Sequence, residues 1–153
     1  MDRQEITRLY DQYARDVYRL ALSYLHSQHD AEDICQSVFL KLVEKNVTLL
    51  PGKEKSWLLT CTVNACKNHL VSFWKKNTQQ LDENLVFDSQ EELDLWQQLL
   101  TLSPKDRALI HLYYYEGYSQ EEIAKILSIS RTSVQSRMQR ARQKLRKELE
   151  ENA

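Results

Sequence analysis

The chain has 153 residues, of which 42% are hydrophobic and 28% charged, with a formal net charge of −1. Such a length suits one ordinary domain or two small ones, and the composition is that of a globular protein, not a disordered one. Only two Gly and two Pro in the chain argue for helices and against β-hairpins and Gly-rich phosphate loops.

No apolar run nears the roughly 20 residues of a membrane span. Met1 to Tyr10 lacks the basic-then-apolar pattern of a signal peptide, so a cytoplasmic location is expected. Cys35, Cys61 and Cys66 are odd in number and scattered through helical segments. They read as free thiols and not as a disulfide framework, with a redox role for Cys61 left open. His26, His29 and His69 are present, but no CxxC pair accompanies them. Neither a metal nor any other cofactor is expected.

Residues 1–76 carry eleven basic and nine acidic groups and read as three helices. In the first, Ile6, Leu9, Tyr10, Tyr13, Val17, Leu20, Ala21, Tyr24 and Leu25 form a wide apolar stripe. Asp30, paired with Asp33, is the expected N-cap of the second. Ile34, Val38, Leu42 and Val43 are its core positions. Pro51-Gly52 turns the chain, and Ser56 is the expected cap of the third helix. The inner stripe there is Leu59, Val63, Cys66, Leu70 and Phe73.

Counting 100° per residue places Trp57, Cys61, Asn64, Asn68 and Lys75 on the opposite side of that third helix. Two readings fit this face. An exposed Trp, two amides and a Lys are what a single-strand-binding surface uses for stacking, base-edge pairing and phosphate contact. The plainer reading, favoured by these residues alone, is that Trp57 packs on a neighbouring helix, with the amides as ordinary surface.

Residues 77–100 hold six acids and no base, and the stretch from Asn77 to Gln90 lacks periodicity and reads as a linker. Leu93, Trp96, Leu99, Leu100 and Leu102 then lead to Ser103-Pro104, a helix start with Pro in the first turn. Leu109, Ile110, Leu112 and Tyr113 form the apolar side of this helix, and Gly117 ends it.

A pair of helices follows. Ser119 and Glu122 stand at capping-box spacing. Ile123, Ala124 and Leu127 face inward, Ser128-Ile129 turns the chain, and Ser130 caps a long last helix. That helix has seven Lys or Arg between Arg131 and Lys147 with no acid among them. Its apolar stripe is Val134, Met138, Ala141, Leu145 and Leu149. Opposite lie Thr132, Ser136, Gln139, Arg140 and Gln143, side chains able to hydrogen-bond base edges. Positive charge gathered on one helix of a near-neutral protein is the footprint of nucleic acid, although a solvated basic face of a bundle helix has the same pattern.

Three segments carry a family resemblance. DAEDICQSVFLKL, Asp30 to Leu42, looks like the polymerase-binding helix of bacterial sigma factors. SWLLTCTVNACKNHLVSFWKK, Ser56 to Lys76, resembles the helix that reads and melts the −10 element. LSPKDRALIHLYYYEGYSQEEIAKILSISRTSVQSRMQRARQKL, Leu102 to Leu145, resembles the −35-reading domain. In this order they cover nearly the whole chain, and the most similar group is the extracytoplasmic-function (ECF) sigma factors.

The resemblance implies an all-α fold of two small helical domains. These are region 2 over residues 1–76 and a helix-turn-helix region 4 over 93–153, joined by an acidic linker at 77–92. The implied partners are core RNA polymerase (its clamp coiled coil and flap), promoter DNA and an anti-sigma factor, with no small-molecule substrate and no enzymatic activity. By motif match, Asp33, Gln36, Phe39 and Leu40 would contact polymerase, and Phe39 fits core packing equally well. Trp57, Asn64, Lys67 and Asn68 would line the melted −10 strand. The loop from Lys45 to Lys55 would trap a flipped base. Gln135, Ser136, Gln139 and Arg140 would read the −35 element, with Arg131 and Arg137 on phosphates.

Some positions depart from the pattern. Asn68 stands where the family often has an acid, Val71 and Gln135 where it often has a base, and Ser128 where the turn often has Gly. A left-handed Ser128 would carry a backbone cost.

Other readings account for less of the chain. A helix-turn-helix regulator that ignores polymerase leaves the 30–42 and 57–75 patterns idle. A helical protein that sequesters a partner predicts no salt-dependent DNA affinity. A nucleic-acid enzyme such as a recombinase would need a catalytic constellation, and the sequence shows none.

Overall fold

The computed structural model describes the backbone of residues 2–45, 47–73 and 89–151. Among the described residues there are helices and turns and no strand. The chain divides into two compact units, Met1–Gln80 and Leu81–Ala153. Residues 77–88 of the expected linker, Lys75, and the side chains of Phe73 and Leu149 lie outside what is described.

The first unit packs α1 (Arg3–Leu25), α2 (Gln28–Lys45) and α3 (Glu54–Phe73) against one another. Asp2 opens α1, its carboxylate accepting the Glu5 N–H at 2.8 Å. His26 closes it in the left-handed region (φ 53°), donating its N–H to the Leu22 carbonyl. The cap of α2 is Ser27, not Asp30. Ser27 Oγ accepts the Asp30 N–H at 3.2 Å, and its carbonyl accepts the Ala31 N–H at 2.9 Å. The helix starts earlier than the acid pair suggests, so Asp30 sits in its first turn, where a carboxylate meets the positive end of the helix dipole.

Pro51 and Gly52 turn the chain as expected. Gly52 has φ 79°, and the Lys53 N–H reaches the Leu50 carbonyl at 3.0 Å. Lys53 then stands where Ser56 was expected, since its carbonyl accepts the Trp57 N–H at 3.0 Å. The Ser56 hydroxyl donates to that same carbonyl at 3.2 Å.

Leu9, Val17, Leu20, Ile34, Val38, Leu42, Leu59, Val63 and Cys66 form the buried centre of this unit. Each fully buried Leu, Val or Ile is worth about 1.5–3 kcal/mol over an exposed one. The core face of α3 is wider than its apolar stripe: Leu58 and Thr62 are also 0% exposed. Thr62 is satisfied locally, its hydroxyl donating to the Leu58 carbonyl at 2.7 Å. Two expected core positions lie outside it, Tyr10 at 49% and Val43 at 61% exposure. Both stand at the edge of their stripes, where one helix cannot decide which neighbour covers them.

The second unit holds α4 (Gln90–Leu99), α5 (Pro104–Ile110), α6 (Gln120–Leu127) and α7 (Arg131–Glu151). Ser103 caps α5, accepting the Asp106 N–H at 3.3 Å, with Pro104 in the first turn. Where a plain helix was expected up to Gly117, the chain widens into a π-turn over His111–Tyr115, its bond running from the Glu116 N–H to the His111 carbonyl at 3.1 Å. Gly117 (φ 74°) does end the run, with the Tyr118 N–H closing on the Leu112 carbonyl at 3.0 Å.

Ser119 and Glu122 form both bonds of the capping box that opens α6. Ser128 takes the left-handed conformation (φ 58°), and Ser130 caps α7 by accepting the Ser133 N–H at 3.0 Å. Leu102, Leu109, Leu112, Ile123, Leu127, Val134, Met138 and Ala141 make the core. Arg107, only 1% exposed, joins them and donates from Nη1 to the Leu102 carbonyl at 2.7 Å.

Candidate nucleic-acid interface

The outward side of α7 is polar and open. Thr132, Gln135, Ser136, Gln139, Arg140 and Gln143 are all exposed, as is Arg131 near the helix start. Ser136, Gln139 and Arg140 share one face because residues three and four apart are neighbours on a helix. The Arg140 Nε–H rests on the Ser136 carbonyl at 3.4 Å, a long bond that an incoming acceptor can replace.

Arg137, expected on a phosphate, is paired within its own domain. Its Nη1 donates to Asp106 at 2.8 Å, with the two side chains 29% and 23% exposed. The pair ties α7 to α5 and neutralises part of the charge that phosphate would meet. Lys144 is exposed, with its ammonium donating to the Thr101 carbonyl. Arg142 donates from Nε to the Tyr114 hydroxyl at 2.7 Å. The count of basic residues in the sequence did not separate cations tied to the domain from those facing outward. The only available signal was position, since Arg137 flanks the apolar stripe instead of opposing it.

In the first unit, α3 brings Trp57, Asn64 and Asn68 to one side. Asn64 and Asn68 are exposed, and Trp57 is half-buried, so its ring packs in part and shows in part. Lys67 is half-buried on the flank of this side, and Val71 lies beyond it at 73% exposure. Burial pushes the Cys61 thiol up from its ordinary range, while Lys41 and Lys45 of α2 pull it the other way. Those two lysines therefore lend positive potential to the Trp57 side of α3. Sequence reasoning missed this, because it depends on how α2 lies against α3. His69 Nε2 stands 3.4 Å from an Asp30 carboxylate oxygen, linking the far part of α3 to the start of α2.

On α2, Asp33, Gln36 and Leu40 are exposed, Leu40 at 53%. Phe39, expected among the polymerase contacts, is 6% exposed. Tyr10 covers it edge-on, with ring centroids 5.0 Å apart, and Tyr10 is thus the aromatic that meets solvent here. Beside Gln36, a surface groove of about 330 Å³ runs between α1 and α2, with Arg15, Tyr18 and Glu32 among its lining residues. Cys35 and Cys66 are buried free thiols, and burial pushes both up. Among the described residues, no His, Cys, Asp or Glu cluster could hold a metal ion, and no helix is long and apolar enough to cross a membrane.

Two helical units, one built around a helix-turn-helix with an open polar face, are an architecture that DNA-binding proteins use. Comparison with known proteins narrows the class. Residues 9–75 match the family model of Sigma-70 region 2, and residues 92–145 match that of Sigma-70, region 4. The chain is 32% identical to the ECF RNA polymerase sigma factor SigE of Mycolicibacterium smegmatis over 88% of its own length, and it spans 58% of that relative. It is 31% identical to the RNA polymerase sigma factor SigV of Bacillus subtilis, over 90% of this chain and 86% of SigV. Identity to the B. subtilis ECF sigma factor SigM is 28%, over 92% and 93% of the two chains.

Solved structures share the fold. The sigma factor RpoE, crystallised with the anti-sigma factor NepR from Bartonella quintana, superposes with a TM-score of 0.81 at 20% identity, covering 96% of this chain and 98% of that one. CnrH, solved with the cytosolic domain of CnrY, superposes at 0.71 and 21% identity, covering 99% and 92%. The chain belongs to the RNA polymerase sigma factors, in the ECF group.

Proposed function

We propose that this chain is an alternative sigma factor acting in the cytoplasm. It binds core RNA polymerase, reads two promoter elements, helps open the DNA and is held in check by an anti-sigma factor. It works as a binding subunit and not as an enzyme. The observation that carries the reading is the presence, in order, of regions 2 and 4 on a chain whose α3 and α7 each turn a polar, hydrogen-bonding side to solvent. The complexes of RpoE with NepR and of CnrH with CnrY support control by a partner protein.

In this reading residues 1–76 are region 2, residues 77–92 an acidic linker through the polymerase channels, and residues 93–153 region 4. Asp33, Gln36 and Leu40 offer α2 to the polymerase clamp, as an amphipathic helix with a few apolar anchors does in helix-on-helix recognition. Trp57, Asn64, Lys67 and Asn68 hold the opened −10 strand, with Trp57 stacking on a base. Gln135, Ser136, Gln139 and Arg140 read the −35 duplex, and Arg131 takes a phosphate.

Run-off transcription tests this directly. Purified chain plus core polymerase should initiate from promoters selected out of a random library. Stable duplex binding with no initiation from any template would replace the proposal with a plain helix-turn-helix regulator.

A further inference from the structure

Arg142 is placed unlike the other cations of α7 described above. Its Nε–H meets the Tyr114 hydroxyl at 2.7 Å, and its guanidinium lies 5.6 Å from the Tyr113 ring centroid and 5.7 Å from that of Tyr114. The two rings meet edge-on, 4.9 Å apart. They are consecutive residues within the π-turn over His111–Tyr115, a one-turn widening of a kind often found at functional sites. Tyr114 remains 60% exposed, and Arg142 is exposed too. The rings therefore orient the guanidinium without hiding it.

The partners of the cations differ on the two flanks of α7. On one flank, Arg137 meets the carboxylate of Asp106 and Lys144 meets the Thr101 carbonyl. Arg142 lies on the other flank, in register with Arg131 and Gln135, and the two phenol rings that hold it carry no charge. Its positive charge is thus kept whole, while stacking and the hydroxyl limit the rotamers it must give up on binding. A planar, oriented and uncancelled guanidinium suits the oxygens of a phosphate.

Geometry supplies the ligand. Arg142 is three turns beyond Arg131, or about 16 Å along the helix. A helix lying in a major groove about 12 Å wide has its flanks beside the phosphate walls, with base contacts concentrated in its first turns.

We propose that Arg142 grips a backbone phosphate of the upstream duplex, and that Tyr113 and Tyr114 are the positioning residues that aim it. The inference rests on the reading of α7 as the groove-entering helix. It adds a contact that carries no sequence information.

Anisotropy titrations of the full chain over a range of salt test it, using a duplex with a −35 element selected by transcription and a scrambled duplex of equal length. Arg142→Gln and Arg142→Met should each weaken both duplexes alike, by about tenfold, and lower the slope of log affinity against log salt by about 0.9. Met keeps an unbranched apolar side chain beside the rings and covers the case in which Gln disturbs the fold. Arg142→Lys should keep the wild-type slope. Tyr114→Phe should weaken wild type several-fold and add nothing to Arg142→Gln. Unchanged slopes in the Gln and Met variants, whether or not affinity or thermal midpoint falls, would reduce Arg142 to a strut between α7 and the π-turn. A wild-type chain that binds neither duplex would instead sink the reading of α7 itself.

Discussion

Ser128 shows how one residue can carry a cost that its neighbours impose. It sits at φ 58° in the turn between α6 and α7, where its N–H closes the end of α6. Any residue with a Cβ is strained there by about 1–3 kcal/mol, and Gly is not, although Gly loses more chain entropy on folding. Ser128→Gly should therefore stabilise the second unit by about 1 kcal/mol, read as a rise in its thermal midpoint. A fall would mean that the hydroxyl makes up for the strain.

Cys66 carries a pH dependence. It is 0% exposed, and burial pushes its thiol well above the ordinary range. An unfolded chain releases that proton above about pH 8.5 while the folded chain keeps it. Stability from this group is full below that pH and falls as pH rises, by up to roughly 1.4 kcal/mol per pH unit. Cys66→Ala should flatten the alkaline limb of a stability-versus-pH curve measured by denaturant unfolding. An identical limb in both proteins would assign the loss to other groups.

Helix ends are where local chemistry and tertiary structure agreed best and also where they parted. The Ser119–Glu122 box and the Ser103 and Ser130 caps were legible, because a hydroxyl three residues before an N–H in need of a partner is a local pattern. Ser119→Ala should cost about 1 kcal/mol and should leave region 2 melting unchanged. A larger loss that spread to the first unit would mean the two do not unfold separately. Asp30 and Ser56 offered the same local pattern and were not the caps. Each helix began a few residues earlier, at Ser27 and at Lys53 after the Pro51-Gly52 turn. The choice among nearby starts depends on where the preceding turn delivers the chain. The π-turn at His111–Tyr115 left no trace in the apolar pattern either, since Leu109 and Leu112 stay three apart and both reach the core.

For the molecule as a whole, the proposed function is a grip at two points, and the points should be separable. Trp57→Ala should impair open-complex formation, followed by permanganate footprinting with core polymerase, while −35 duplex binding stays near wild type. Arg140→Ala should weaken the −35 duplex by roughly 1–3 kcal/mol and relax its sequence preference. If both variants lost duplex binding equally, α3 and α7 would not hold different parts of the promoter.

The order of the helices, the outward polar sides of α3 and α7 and the helix-turn-helix were all decided by the sequence, because periodicity, caps and turn residues act over a few positions. Tertiary structure alone decided the borders of each face. It buried Phe39 under Tyr10, drew Arg107 into the core, tied Arg137 to Asp106 and stood Arg142 against two tyrosines. A helical count reports how much of a face is buried on average. Whether a side chain at its edge is covered, neutralised or left reaching outward is set by a partner far away in sequence.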